Sequence, residues 1–165
     1  MNVVSDLIDI VGAEHVLVDP DVLSGYVTDW TGRFRGQAAC VVRPASHGQV
    51  VAVVELCRSR RTALVPQGGN TSLVAGATPS GDAVVISTRR LNHVEPIDHA
   101  AGQITVGAGV TLGALQQSLR DSDLEFGIDL AARDSATIGG MVATNAGGTR
   151  AVSYTHLTLP TKRIV

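Results

Sequence analysis

Val65-Pro66-Gln67-Gly68-Gly69-Asn70-Thr71-Ser72-Leu73 is a glycine pair followed by three small polar residues, directly after the apolar run Ala63-Leu64-Val65. Two adjacent glycines carry no Cβ barrier to φ > 0, so successive N–H groups can turn toward one centre and form an anion-binding nest. Asn70, Thr71 and Ser72 add side-chain donors at the same place. An isolated pair of this kind is also read as a glycine-rich surface turn. The residues before it give the nest a position in a fold. Ala39-Cys40-Val41-Val42 reads as a short buried strand ended by Pro44. Ser46 with Gln49 makes a capping box for a helix over 47–60 with Val50, Val53, Val54 and Cys57 on its apolar stripe. Residues 63–65 form the next strand, and the nest lies at its carboxyl end, where α/β sheets bind ligands.

A second segment about seventy residues on repeats the texture: Asp134-Ser135-Ala136-Thr137-Ile138-Gly139-Gly140-Met141-Val142-Ala143-Thr144-Asn145-Ala146-Gly147-Gly148. Two such stretches in one chain imply two loops closing on a long ligand with phosphate and ring contacts, and a dinucleotide meets that description. Asp129 and Asp134 flank the second loop, where they either contact a ribose or ring edge or cap the loop. A third glycine run, Val106-Gly107-Ala108-Gly109-Val110-Thr111-Leu112-Gly113, almost spells the nicotinamide-dinucleotide fingerprint. Its spacing is GxGxxxG where the fingerprint needs GxGxxG, so it reads as a tight turn before a helix. GxxxxGK[ST], HExxH and GxSxG are absent, and the five histidines are isolated from one another.

Outward from these stretches, residues 3–11 carry apolar groups at helical spacing and Gly12 ends that helix. Asp19-Pro20 reads as an N-cap with proline at N1, opening a short helix toward Tyr26. Tyr26, Trp30 and Phe34, four residues apart, are expected to anchor this arm on the body. Residues 82–87 form a third buried strand, 94–97 and 103–106 a hairpin, and Thr111 caps a helix bearing Leu112, Leu115 and Leu119. Arg58, Arg60 and Arg61 fall at the C-terminus of the 47–60 helix, where the helix dipole favours cations.

The chain has 165 residues, 44% apolar and 17% charged, in the range of one soluble globular domain. A net charge of −2 leaves no electrostatic footprint for nucleic acid. Cys40 and Cys57 sit in apolar runs without metal-ligand spacing and read as core residues, and no metal site is expected. No basic leader or membrane-length apolar run is present, so a cytoplasmic location is the default.

Pro66 through Leu73 and Asp134 through Gly148 together resemble the two FAD-contacting segments of the vanillyl-alcohol oxidase/p-cresol methylhydroxylase family. Within it, Ile128-Asp129-Leu130 leading into Arg133 through Gly140 and Ala143 through Gly148 is most similar to the glycolate oxidase FAD subunit and to D-lactate and D-2-hydroxyglutarate dehydrogenases. The resemblance implies an α+β fold: a two-subdomain FAD-binding domain with a small βαβ part and a mixed or antiparallel sheet part, here truncated. It implies pyrophosphate contacts from Gly68, Gly69, Asn70, Thr71 and Ser72, flanked by Pro66, Gln67 and Leu73. The rest of the flavin site then falls to Asp129, Asp134, Ser135, Thr137, Ile138, Gly139, Gly140, Thr144, Asn145, Gly147 and Gly148.

The implied activity is oxidation of a small-molecule D-2-hydroxy acid by hydride transfer to FAD, with an electron-acceptor protein or companion subunit as partner and, through it, peripheral attachment to the inner membrane. Neither flavin loop holds a histidine or cysteine, so FAD is expected to be non-covalent. Alternatives are a nicotinamide-dependent cell-wall precursor reductase of the same fold, or a non-catalytic assembly module. The implied layout is an N-terminal helical arm (1–38), an incomplete FAD-binding domain (39–152) and a tail (153–165). That tail, Ser153 to Val165, departs from the family and resembles a translated sequencing adapter, so it reads as non-native and the chain as a fragment inactive by itself.

Overall fold

The computed structural model of the chain describes residues 3–148. The tail at 153–165 lies outside the described residues. Four strands, β1 (Val16–Leu17), β2 (Cys40–Val42), β3 (Leu64–Gln67) and β4 (Val84–Ser87), form one sheet in the order β1-β2-β4-β3. β4 is parallel to both its neighbours and β1 is antiparallel to β2, so the sheet is mixed. All four residues of the inner strand β4 are buried, as its continuous Val84-Val85-Ile86-Ser87 run requires. β3 lies at the edge of this sheet, which accommodates Pro66 and its missing N–H.

Among the described residues the α-helices are α1 (Val3–Val11), α2 (Pro20–Val27), α3 (His47–Arg60), α4 (Leu112–Ser118) and α5 (Ile138–Ala143). Leu7 and Val11 of α1 and Val53 and Cys57 of α3 pack on Cys40, Val42, Val84 and Ile86 to form the main core. Burying each such side chain contributes roughly 1.5–3 kcal/mol. An ion pair between Asp6 and Arg60 joins α1 to α3. Gly12 ends α1 at φ 90, with its N–H on the Ile8 carbonyl. Ser46 caps α3 by accepting from Gln49 N–H. The reciprocal bond of a capping box is shifted by one residue: Gln49 Oε1 takes the Ala45 N–H at 2.7 Å while its Nε2 donates to Ile10. Reaching both partners draws the amide away from Ser46. Val54 falls off the buried stripe and is 43% exposed.

α2 begins as expected, with Asp19 accepting from the N–H groups of Asp21 and Val22. Two of the three expected aromatic anchors do not follow, since Trp30 is 69% and Phe34 52% exposed, while Tyr26 is half-buried. Helical spacing loses its meaning after Val27, where α2 ends and the chain reverses around Asp29. That buried carboxylate accepts from the Thr31 hydroxyl and the N–H groups of Thr31 and Phe34, while Asp29 N–H donates to the Phe34 carbonyl at 2.9 Å. The Thr31 hydroxyl bond, with backbone donors after it, holds the Asp29 carboxyl below its usual range against the opposing effect of burial. The turn therefore closes on Asp29 and leaves Trp30 and Phe34 facing outward.

In the second half, Val94 pairs with Val106 and Asp98 with Gln103, giving the expected antiparallel hairpin. Thr111 caps α4 through Ala114 N–H. Leu115 and Leu119 of this region join Val110 in a second core against Ile97, Ile104 and Val106. Among the described residues no helix is long and apolar enough to cross a membrane.

Candidate flavin-phosphate site

Gly68 and Gly69 follow the last residue of β3 and press directly on the second glycine-rich segment. A Cβ on Gly69 would overlap the Ser135 carbonyl oxygen and come within 2.6 Å of its carbon and 3.2 Å of Ala136 Cα. One on Gly68 would overlap Thr137 Oγ1. Neither glycine takes a positive φ, and the left-handed residue of the loop is Asn70, at φ 55. The glycines are therefore required for the approach of two backbones, correcting the expectation that they supply φ > 0.

Among the described residues, the N–H groups of Gly68, Gly69, Asn70, Thr71 and Ser72 donate to no protein acceptor. Buried backbone donors in a folded chain are almost all paired with protein or water, so five successive donors without a protein acceptor in a half-buried loop are open to water or to a ligand's acceptor oxygens. The oxygens of a pyrophosphate would fit them. The side chains divide differently. Asn70 Nδ2 donates to the Thr28 carbonyl at 2.8 Å, and Gln67 Nε2 to those of Tyr26 (2.8 Å) and Ala77 (3.0 Å). Both amides latch the loop to the end of α2 and are not donors to an anion. Thr71 and Ser72 are half-buried, and Pro66 and Leu73 exposed.

The second segment is a turn, a helix and a turn, where a continuous loop was expected. Thr137 caps α5 through Gly140 N–H at 3.3 Å and bridges Thr111. Its buried threonine and the small Gly139, which packs against Ala108 with its N–H on the Ala108 carbonyl, favour the short helix. Ile138 turns into the core and the Thr144 hydroxyl donates to the Gly140 carbonyl. Asn145, at φ 48, is exposed. Gly148 lies on the Asp129 backbone, and Gly147 stands beside it in the chain. The two acids separate. Asp129 pairs with Arg133 at 2.8 Å, whereas Asp134 is exposed beside Gly113.

The GxGxxxG run has a packing cause. A Cβ on Gly107 would overlap the Leu91 carbonyl and one on Gly109 the Thr88 carbonyl, so both glycines let the chain pass along the extension of β4. Beside them a cavity of about 380 Å³ is lined by Arg89, Asn92, Thr111, Asp134, Ser135 and Thr137, among others. Arg89 and Asn92 escaped the motif reading. Their position just past the carboxyl end of β4 was the available signal. A larger hollow, about 1050 Å³, lies between α2, residues 33–38 and 75–82, and includes none of residues 66–73 or 134–148. Among the described residues no group of three or more His, Cys, Asp or Glu could hold a metal ion.

The FAD binding domain family matches residues 38–159. The chain is 37% identical over 138 residues to D-2-hydroxyglutarate–pyruvate transhydrogenase DLD3 of Saccharomyces cerevisiae, covering 84% of this chain and 28% of that protein. It is 38% identical over 141 residues to the mitochondrial D-2-hydroxyglutarate dehydrogenase of Danio rerio, covering 86% and 26%. The chain thus spans about a quarter of the length of these relatives. Among solved structures, alkyldihydroxyacetonephosphate synthase superposes with a TM-score of 0.80 at 22% identity, over 88% of this chain and 29% of that one. p-Cresol methylhydroxylase does so with a TM-score of 0.71 at 20% identity, over 85% and 28%. The chain belongs to the FAD binding domain family and has the p-cresol methylhydroxylase type of fold.

Proposed function

We propose that this chain is the FAD-binding portion of a flavin-dependent oxidoreductase that oxidises a D-2-hydroxy acid. The observation that carries the FAD site is the contact of Gly68-Gly69 with Ser135 to Thr137, beside five backbone donors without protein acceptors. In this reading residues 68–72 hold the pyrophosphate, Ser135 and Thr137 close over it, and Gly139 to Asn145 lie along the remainder of the cofactor. FAD, when bound, supplies the acceptor for a hydride from the carbon bearing the substrate hydroxyl. The protein's part is to hold and orient it. Leu73 (65%), Val74 (81%) and Val142 (77%) are exposed on the two segments that meet. Apolar surface of that kind suits a site covered by a ring and by further protein.

Relatives named for D-2-hydroxyglutarate support a D-2-hydroxy acid as substrate and favour that acid over glycolate. Two measurements test the reading separately. Purified chain titrated with FAD is expected to quench flavin fluorescence and release the flavin on denaturation, so absence of uptake removes the cradle assignment. In the intact protein, D-2-hydroxyglutarate or D-lactate is expected to bleach the flavin anaerobically. Bleaching by NADPH alone removes the substrate class.

A further inference from the structure

Helix α2 has a strong start and a weak end. Asp19 and Pro20 set its N-terminus, but it has only 8 residues, carries Gly25 near its end and passes into extended backbone at Thr28 without a left-handed cap. A helix this short is marginal without tertiary support, and its last carbonyls have no partner within the helix. The cradle loop supplies the partners from 41 to 45 residues away. Gln67 Nε2 donates to the Tyr26 carbonyl at 2.8 Å, and Asn70 Nδ2 to the carbonyls of Thr28 at 2.8 Å and Gly25 at 3.4 Å. The Val27 carbonyl, between them, takes the Gly36 N–H at 2.8 Å.

Asn70 has a second part in the loop, as its left-handed residue at φ 55. A left-handed residue within such a loop helps to turn successive N–H groups toward one centre. Asparagine tolerates that conformation but is not restricted to it, so the bonds of its amide to carbonyls held by α2 keep it there. One side chain thus caps α2 and fixes the backbone from which the five open N–H groups project. We propose that Gln67 and Asn70 are positioning residues for the pyrophosphate, acting through the end of α2, so that the N-terminal arm is a working part of the cofactor site. Filling the cradle secures the end of α2, and the capped end of α2 holds the cradle in its binding shape. This rests on the reading of residues 68–72 as the pyrophosphate cradle. By linkage the two effects are equal: whatever factor the latch adds to FAD affinity, FAD adds to the closure of the latch.

The test uses the full 165-residue chain, with FAD affinity read by flavin fluorescence and amide exchange over residues 24–36 by mass spectrometry. That stretch contains the Gly36 N–H on Val27 and the Asp29 N–H on Phe34. Asn70→Gly leaves the left-handed conformation accessible and deletes the amide. It is expected to weaken FAD about tenfold, the loss of one well-made hydrogen bond. In the parent, FAD is expected to slow exchange over 24–36 by about the same factor, and in Asn70→Gly to leave it unchanged. Gln67→Leu, altered outside the five donors, should also weaken FAD and lose this protection. Gly25→Ala separates the latch from helix stability. A Cβ there meets nothing within 4 Å and favours the helix, yet it restores no tether, so adding it to Asn70→Gly should leave FAD affinity at the weakened value. Urea midpoints without FAD set conditions in which each variant is folded. FAD affinity within about twofold of the parent in Asn70→Gly, exchange over 24–36 in the parent that saturating FAD does not slow, or recovery of affinity in the double variant overturns the latch. If the unmodified chain takes up no FAD, the cradle reading itself fails and the latch falls with it.

Discussion

Gly69→Ala is the substitution that most directly tests whether the two glycine-rich segments form one site. The added Cβ would overlap the Ser135 carbonyl oxygen and lie 2.6 Å from its carbon. An ordinary carbon–carbon contact is about 3.5–4.0 Å, so the two segments must part by roughly 1 Å. Both sides of the contact are backbone, and no rotamer change relieves it. Overpacking of this kind costs about 1–3 kcal/mol. The effect on the cofactor is larger. Each N–H bonded to a charged oxygen is worth about 1.5–3 kcal/mol, and misaiming two of the five donors raises the FAD Kd by at least about 100-fold.

Fluorescence titration measures the Kd, and urea denaturation without FAD measures the folding cost. Gly76→Ala is the control. A Cβ there meets nothing within 4 Å, so both quantities should stay within about 0.5 kcal/mol of the parent. If Gly69→Ala loses stability as expected but binds FAD within a few-fold of the parent, the contact is structural only and the cradle reasoning is wrong.

Gly68 presents a different obstacle, because its Cβ would overlap the hydroxyl of Thr137 and not a backbone. Thr137→Ala alone should cost about 1 kcal/mol through loss of the α5 cap, and Gly68→Ala combined with it should cost less than the sum, a coupling that a denaturation double-mutant cycle detects. Gln67→Leu removes the amide of a buried residue that serves the carbonyls of half-buried Tyr26 and Ala77 and should cost about 1–3 kcal/mol in urea denaturation, water reaching part of each abandoned group. Burial, with Cys57 nearby adding to it, pushes the Cys40 thiol up to about 11. The folded pKa is raised, so its contribution to stability is complete below the ordinary thiol pKa and is lost as pH climbs through about 11. Iodoacetamide at pH 8 should therefore label Cys40 only at the rate of unfolding. Rapid labelling of the native chain would contradict this burial.

Much of the framework was legible in the sequence because the deciding forces are local. α3 runs over His47–Arg60 as the Ser46 cap and the apolar stripe require, and the caps at Asp19 and Thr111 act within three residues of themselves. β1 was not legible. Val16-Leu17 is too short to show a period, and it is a strand only because Val42 and Val41 stand opposite. Trp30 and Phe34 misled for a related reason, since their spacing has meaning only inside a helix and the turn held by Asp29 abolishes it.

The same division runs through the site. The sequence by itself determined that two glycine-rich segments exist, that the first follows a parallel strand, and that their residue types suit a phosphate-bearing cofactor. Only the tertiary structure decided why Gly68 and Gly69 must be glycine. The reason is the space left by Ser135, Ala136 and Thr137, residues more than sixty positions away. It also decided that Gln67 and Asn70 spend their amides on the end of α2, and that Arg89 shares a cavity with Ser135. Caps and periods are set by neighbours in the chain and can be read from it. Close backbone approach and the choice of hydrogen-bond partner depend on which distant segments meet, and the packed core alone fixes that.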